Sequence, residues 1–229
     1  MPFKMPTQLL ERVPFLAGLS EDDLRWLADR LRRRKYARGD IIFQKDEPGH
    51  ALFIIESGSV RIYIPGTQGA DLTLAVMGAG DFFGDLSLLD GRPRSASATA
   101  ASDSVLLSLE RSDFTSLLRS RPDAALAVLA TIARRLRETD QTASDLAFLD
   151  VPGRLARKLI DLAEAGGIQR EDGVALPPGL TQEELANMIG VTRESVNRNL
   201  SAFRRRGLIA REGRRIVIRN ATGLRSYCE

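Results

Sequence analysis

The chain of 229 residues contains very little cysteine and histidine, and each scarcity excludes a class of site. Cys228 is the one cysteine, so an intrachain disulfide, a cysteine-held zinc ion and an iron–sulfur cluster are all excluded. His50 is the one histidine, which excludes zinc sites built from several imidazoles. It lies in the turn-like segment Glu47-Pro48-Gly49-His50, which favours an exposed turn residue over a catalytic base. We therefore expect no metal centre.

Long apolar runs are also absent. No run approaches the roughly 18 uninterrupted apolar residues that a membrane-spanning helix requires. Near the N-terminus, Glu11 and Arg12 interrupt the apolar stretch, so this segment does not resemble a signal peptide. Hydrophobic residues make up 43% and charged residues 28%, which is typical of a globular protein. The sequence thus predicts a cytoplasmic protein without a membrane partner.

Charge is distributed unevenly along the chain, although the net formal charge is only +3. Residues 1–150 carry 19 basic and 21 acidic side chains, whereas residues 151–229 carry 14 basic and 9 acidic ones. Nine arginines cluster in the second part, at positions 193, 198, 204, 205, 206, 211, 214, 215 and 219. Because arginine suits planar recognition of phosphates and guanine edges, this cluster indicates a nucleic-acid partner.

Short apolar runs separated by glycine turns occupy residues 36–109. The turns include Gly39-Asp40 and Ser57-Gly58. Strands of this length and spacing are typical of an antiparallel barrel or roll. We therefore expect a β-roll in the first 120 residues.

The pattern becomes helical over residues 121–150, where glycine is absent and Pro122 suits the first turn. Apolar or small side chains recur there at alternating spacings of four and three residues, at Ala125, Leu129, Ile132, Leu136, Thr139, Ala143 and Leu146. This heptad seam could pack on the chain's own barrel. Since a helix of some 40 Å is longer than a small barrel, we favour a seam between two helices of a dimer.

Residues 181–218 carry the most informative motif. Asp150-Val151-Pro152-Gly153 marks a domain boundary before it, with Asp150 as the cap of a helix over residues 154–165. Thr181 and Glu184 form a capping box, Gly190 supplies a turn, and Thr192 caps a second helix. This spacing is that of a helix-turn-helix.

The second helix presents Arg193, Glu194, Asn197 and Arg198 near its N-terminus. A recognition helix contacts base edges from this position, where arginine can bind guanine and glutamate can accept from cytosine. A basic hairpin follows over residues 208–218 and is expected to contact phosphates as a wing.

Four segments together resemble a known family. Segments 83–89 (FGDLSLL) and 92–96 (RPRSA) are similar to a phosphate-binding cassette, 146–154 (LAFLDVPGR) to a hinge and 192–196 (TRESV) to a recognition helix. In this combination the four segments resemble the cAMP receptor protein/FNR family of bacterial transcription regulators. The resemblance implies an α+β fold with an N-terminal antiparallel cyclic-nucleotide-binding β-roll (1–120), a long dimerisation helix and hinge (121–150), and a C-terminal winged helix-turn-helix (151–229).

The resemblance also implies a homodimeric, non-enzymatic regulator that binds inverted-repeat DNA and contacts RNA polymerase. Its effector would be cAMP or another cyclic nucleotide, bound between the roll and the long helix, without metal, haem or an iron–sulfur cluster. The implied nucleotide-binding residues are Gly84, Asp85, Leu86, Ser87, Arg94, Ser95, Thr139 and Asp140. The implied DNA-binding residues are Thr181, Gln182, Thr192, Arg193, Glu194, Asn197 and Arg198.

Two positions depart from the pattern of cAMP-binding members. Asp85 stands where they carry glutamate, and Asp140 stands where they carry serine or asparagine. Three alternatives therefore remain: a member that responds to cyclic di-GMP, a member that binds DNA without a ligand, and a cyclic-nucleotide-binding interaction module whose basic tail contacts a protein.

Overall fold

A computed structural model describes residues 12–66, 71–178, 180–213 and 215–228. The chain divides into two compact units. The first comprises Met1–Pro65 and Leu74–Arg137, and the second comprises Gly66–Thr73 and Glu138–Glu229. The predictions made for Glu11 and Arg214 lie outside the described residues.

The predicted antiparallel roll is built from strands β1 Arg32–Tyr36, β2 Ile41–Phe43, β3 Ala51–Ser57, β4 Ser59–Ile64, β5 Leu72–Gly78, β6 Phe82–Phe83, β7 Ser97–Ala100 and β8 Ser104–Glu110. These strands form two four-stranded sheets in the orders β1-β8-β3-β6 and β2-β7-β4-β5. The pairings β1–β8, β3–β8, β3–β6, β2–β7 and β4–β7 are antiparallel.

Within the described residues, three short helices flank the roll: α1 Glu21–Ala28, α2 Leu86–Asp90 and α3 Arg111–Ser120. The main core lies between them and the first sheet. Phe15 packs edge-on against Phe82 and Phe114, with ring centroids 5.0 and 5.9 Å apart. Leu52 and Ile54 of β3 are fully buried in the same cluster, whereas Ile55 is fully buried in a second cluster, so both faces of this strand contact core residues.

A long helix, α4, spans Pro122–Phe148, as the glycine-free stretch predicts. Ala124, Val128 and Thr131 are its buried residues. The predicted heptad seam lies on another face, where Leu129 and Leu136 are each 59% exposed. The helix therefore has two apolar faces, one buried in the single chain and one exposed to solvent.

The second unit contains the remaining elements: α5 Val151–Gly166, β9 Ile168–Arg170, β10 Gly173–Ala175, α6 Gln182–Ile189, α7 Arg193–Arg205, β11 Ile209–Glu212, β12 Arg215–Ile218 and α8 Ala221–Arg225. The strands form one sheet in the order β11-β12-β10-β9. Asp150 caps α5 by accepting from the Gly153 amide at 2.8 Å. The helix begins three residues earlier than predicted because Pro152 is accommodated in its first turn.

Candidate functional site

The cassette segment (residues 83–96) runs from β6 through α2 to the start of β7. Gly84 has a φ of +79°, a left-handed conformation that favours glycine. Asp85 and Arg94 follow on this segment and are 2% and 4% exposed, respectively. Burial of a charged side chain is costly unless the charge is paired within the protein or binds a ligand. The burial of both Asp85 and Arg94 therefore identifies this segment as a candidate site.

The guanidinium of Arg94 is held by the protein backbone. Nη1 donates to the Gly84 carbonyl at 2.6 Å and to the Ser87 hydroxyl at 3.2 Å, and Nη2 donates to the Ala51 carbonyl at 2.6 Å. Its Nε is buried without a hydrogen-bond partner. Burial lowers the pKa of Arg94, and the charges of Asp85 and Glu47 oppose this effect.

Asp85 is paired on one side only. Its Oδ1 accepts from Nη1 of Arg135 at 3.3 Å, whereas its Oδ2 is buried without a hydrogen-bond partner. Burial raises the pKa of this carboxyl, and the charges of Arg135 and Arg94 offset only part of the increase. The segment thus contains one unpartnered acceptor and one unpartnered donor, both buried.

The other predicted cassette residues differ in their environment. Ser87 is buried against Arg94, whereas Leu86 and Ser95 are exposed. Thr139 and Asp140 lie at exposed positions of α4, in the part of this helix that belongs to the second unit. The structure therefore brings Gly84, Asp85, Ser87 and Arg94 together in the first unit.

Two further contacts at this site could not be predicted from the sequence. Arg135 pairs with Asp85 across 50 residues of sequence and also donates to the Phe82 carbonyl. Gly49 is required by close packing, since a Cβ there would lie 2.4 Å from Cβ of Ser87. Neither contact has a local sequence signal, because both depend on how distant segments meet.

The helix-turn-helix forms as its capping residues predict. Thr181 and Glu184 make the capping box of α6, and Gly190 ends this helix with a φ of +66°. Thr192 caps α7 by accepting from the Ser195 amide at 3.3 Å. The packed faces bury Leu185 and Val196 completely, which fixes the two helices against each other.

The predicted recognition residues Arg193, Glu194, Asn197 and Arg198 are all exposed on α7. Gln182 of α6 donates through Nε2 to Oδ1 of Asn197 at 3.2 Å and so joins the two helices. Backbone hydrogen bonding at the helix start, together with the Thr192 hydroxyl, lowers the pKa of Glu194. Glu194 is therefore ionised and remains an acceptor.

The hairpin of β11 and β12 carries its own ion pairs. Glu212 accepts from Nη1 of Arg170 at 2.7 Å and from Nη2 of Arg219 at 2.9 Å. Arg219 also pairs with Asp172. Two arginines in or beside the wing are thus neutralised within the protein.

Comparison with known proteins identifies the domains in which these two regions lie. The chain matches the family models of a cyclic nucleotide-binding domain over residues 33–121 and of a Crp-like helix-turn-helix domain over residues 153–227. It is 36% identical to the CRP-like cAMP-activated global transcriptional regulator of Mycobacterium tuberculosis, over 95% of this chain and 97% of that protein. The chain belongs to the CRP/FNR family of transcriptional regulators. Family members regulate transcription and are not enzymes, as the sequence predicts.

Further similarities extend over most of the chain. The cyclic AMP receptor protein of Thermus thermophilus is 36% identical over 86% of this chain and 88% of that protein. Among solved structures, the c-di-GMP responsive global regulator CLP of Xanthomonas campestris is 25% identical with a TM-score of 0.76, over 87% of this chain and 99% of that one. These similarities confirm the predicted α+β fold and a DNA-binding regulator of this family with a cyclic nucleotide-binding domain.

Two other kinds of feature are absent from the described residues. In the part of the chain that the structure describes, no three His, Cys, Asp or Glu side chains come together in an arrangement that could hold a metal ion. Among the same residues, no helix has both the length and the apolar composition needed to cross a membrane.

Proposed function

We propose that the cassette segment binds cAMP and that cAMP controls DNA binding. The observation that carries this proposal is the pair of unpartnered buried atoms, Oδ2 of Asp85 and Nε of Arg94. A cyclic nucleotide has a negatively charged phosphate, which needs a donor, and a ribose hydroxyl, which needs an acceptor. The two atoms fit these groups, and the fit would satisfy polar atoms that are otherwise costly to bury.

A single buried arginine favours a ligand with one phosphate over a dinucleotide. Among the residues that the structure describes, Arg94 is the buried cation of the roll. We therefore propose cAMP ahead of cyclic di-GMP, the ligand named for the Xanthomonas relative. Asp85 has a shorter side chain than the glutamate of cAMP-binding members, but its Oδ2 can still accept from a ribose hydroxyl, because Arg135 pairs only with Oδ1. Thr139 and Asp140 remain proposed contacts to the nucleotide.

The exposed face of α4 supports a homodimer formed through residues 121–150. Leu129 and Leu136 would be buried against a second copy of the chain, in the manner of a heptad seam. Two recognition helices related by a twofold axis would then read an inverted repeat, with half-sites about one helical turn apart. Arg193, Glu194, Asn197 and Arg198 would contact the bases, while Thr181, Gln182 and Thr192 would contact the backbone.

Such a dimer would act in the cytoplasm and would contact RNA polymerase at the promoters that it controls. The division of the chain at residues 120 and 150 is part of the same proposal. It separates the ligand-binding, dimerising and DNA-binding parts.

Calorimetric titration of the full chain with cAMP, cyclic GMP and cyclic di-GMP tests this function, followed by DNA binding with and without each nucleotide. We expect heat with cAMP and an increase in affinity for an inverted repeat. Heat with cyclic di-GMP alone would mean that cyclic di-GMP, and not cAMP, is the effector. Tight DNA binding that does not change with any nucleotide would indicate a constitutive regulator. DNA binding without a preference for sequence would favour an interaction module.

A further inference from the structure

The buried guanidinium of Arg94 lies against an aromatic ring. Its central carbon is 4.2 Å from the centroid of the Phe43 ring and 5.9 Å from that of Phe53. The first distance lies well within the range of a cation–π interaction, and the second lies at its limit. Phe43 is therefore the principal aromatic partner of this arginine.

Three phenylalanines from different strands form one cluster under Arg94. Phe53 of β3 and Phe83 of β6 are stacked, with centroids 5.4 Å apart and ring planes at 19°. Phe43 of β2 is tilted against both, at 5.8 Å from each. Phe43 and Phe53 are half-buried and Phe83 is buried. Of the two rings in this cluster that face the guanidinium, Phe43 lies nearer to it than Phe53 does.

Two glycines confine the guanidinium further. A Cβ on Gly84 would lie 2.7 Å from Nη1 of Arg94, and a Cβ on Gly49 would lie 3.2 Å from its Cζ. Together with the carbonyls of Gly84 and Ala51, these contacts leave the guanidinium little freedom to rotate. Its orientation is consequently set before any ligand arrives.

Burial removes water from the guanidinium, and a ring face recovers part of the lost stabilisation without occupying a hydrogen-bond donor. A carboxylate at the same place would neutralise the charge, which would then be unavailable to a ligand. An aromatic ring instead stabilises the cation and leaves the charge in place. The unpartnered Nε remains available as a donor.

We infer that Phe43 is a positioning residue, which holds the Arg94 guanidinium in place so that Nε can donate to an anionic oxygen of the ligand. This inference rests on the proposed function of the cassette. The competing interpretation is that Phe43 only fills the core. Phe53 provides a matched control, because it belongs to the same cluster and is half-buried, but it lies 1.7 Å farther from the Arg94 central carbon.

Binding of cAMP to the full chain would be compared for the wild type, Phe43→Leu, Phe43→Tyr and Phe53→Leu by calorimetry. Loss of a desolvated cation–π contact predicts about tenfold weaker binding for Phe43→Leu. Phe43→Tyr keeps the ring and is expected to stay within about threefold of the wild type, as is Phe53→Leu. Equal losses in the two leucine variants would indicate packing alone and overturn the inference.

A second measurement reports on the arginine without any ligand. The Nε–Hε resonance of Arg94, assigned by its absence in Arg94→Lys, is expected upfield of other arginines because of the Phe43 ring current. It should return towards the ordinary position in Phe43→Leu and stay in place in Phe53→Leu. If Phe43→Leu does not fold, the wild-type spectrum decides: an ordinary Hε position overturns the inference.

The two proposals fail in different ways. A wild type that binds no cyclic nucleotide contradicts the proposed function, and the positioning role falls with it. A wild type that binds cAMP, with Phe43→Leu binding equally well, contradicts the role of Phe43 alone.

Discussion

At the scale of single residues, the burial of Asp85 in the cassette segment lowers the stability of the folded chain. Burial raises the pKa of Asp85, so the ionised carboxylate is less favourable in the folded chain than in the unfolded one. Stability from this group is therefore lowest above its folded-state pKa and recovers as the pH falls through that value. A ligand hydroxyl that donates to Oδ2 would remove part of this cost, which couples ligand binding to the stability of the roll.

Asp23 shows the opposite behaviour and gives a testable pH dependence. Hydrogen bonds from Arg121, at 2.7 and 2.6 Å, and from Ser20 lower the pKa of Asp23 to about 2. Its contribution to stability is present above the ordinary carboxyl pKa and is lost as the pH falls towards 2. We expect Asp23→Asn to lower the melting temperature at neutral pH, with a difference from the wild type that narrows in acid.

Asp22→Asn provides the control for this measurement. Asp22 pairs with Arg25 at 3.0 Å, but both side chains are largely exposed. Exposed pairs contribute little, so its melting curve should follow the wild type at every pH. A constant offset between Asp23→Asn and the wild type across the whole pH range would contradict the role given to the Asp23 carboxylate.

At the scale of secondary-structure elements, the exposed face of α4 makes a prediction about assembly. Leu129→Glu places a charge in the heptad seam, where a dimer would bury it without a partner, so we expect a monomer. Leu126→Glu is the matched control, because Leu126 is 63% exposed but stands outside the seam positions. Light scattering after size-exclusion chromatography measures the mass. A wild-type monomer, or a Leu129→Glu dimer, would contradict this interface.

Caps and most strands of the roll were predicted well from the sequence, because each has a local signal, whereas the first strand was not. The caps at Asp150, Thr181 and Thr192 stand where the sequence predicts them, because a capping hydrogen bond spans only three residues. By contrast, β1 begins at Arg32, four residues before the predicted strand region. Its charged residues form a strand because they pair with β8 at an exposed sheet edge, as in Arg32↔Ser108.

The candidate site follows the same rule. The identity of Gly84, Asp85 and Arg94 could be inferred from the cassette motif. The partners of these residues could not, because Arg135 and Phe43 reach them from elements more than 40 residues away in sequence. The motif indicates the candidate residues, whereas tertiary packing determines which other side chains contact them.

At the scale of the whole molecule, the ion pairs of the wing predict how DNA affinity depends on salt. Glu212→Gln releases Arg170 from its carboxylate partner, whereas Arg219 keeps its ion pair with Asp172. If the freed Arg170 gains a phosphate contact, the slope of log affinity against log salt steepens by about one. Glu164→Gln is the control, since Glu164 pairs with Arg225 at 2.8 Å outside the arginine cluster of residues 193–219. Parallel slopes for all three proteins would contradict this expectation.

Because Glu212 pairs with Arg170 and Arg219, the number of arginines in and beside the wing is larger than the number of counterions that these arginines can displace from DNA. Counterions leave the double helix in proportion to the phosphates that a protein neutralises, and an arginine already paired within the protein displaces fewer of them. If the wing contacts phosphates, it would bind DNA less tightly in dilute salt and lose less affinity as the salt concentration rises. A regulator of this kind keeps the occupancy of its sites steadier when the ionic composition of its surroundings changes.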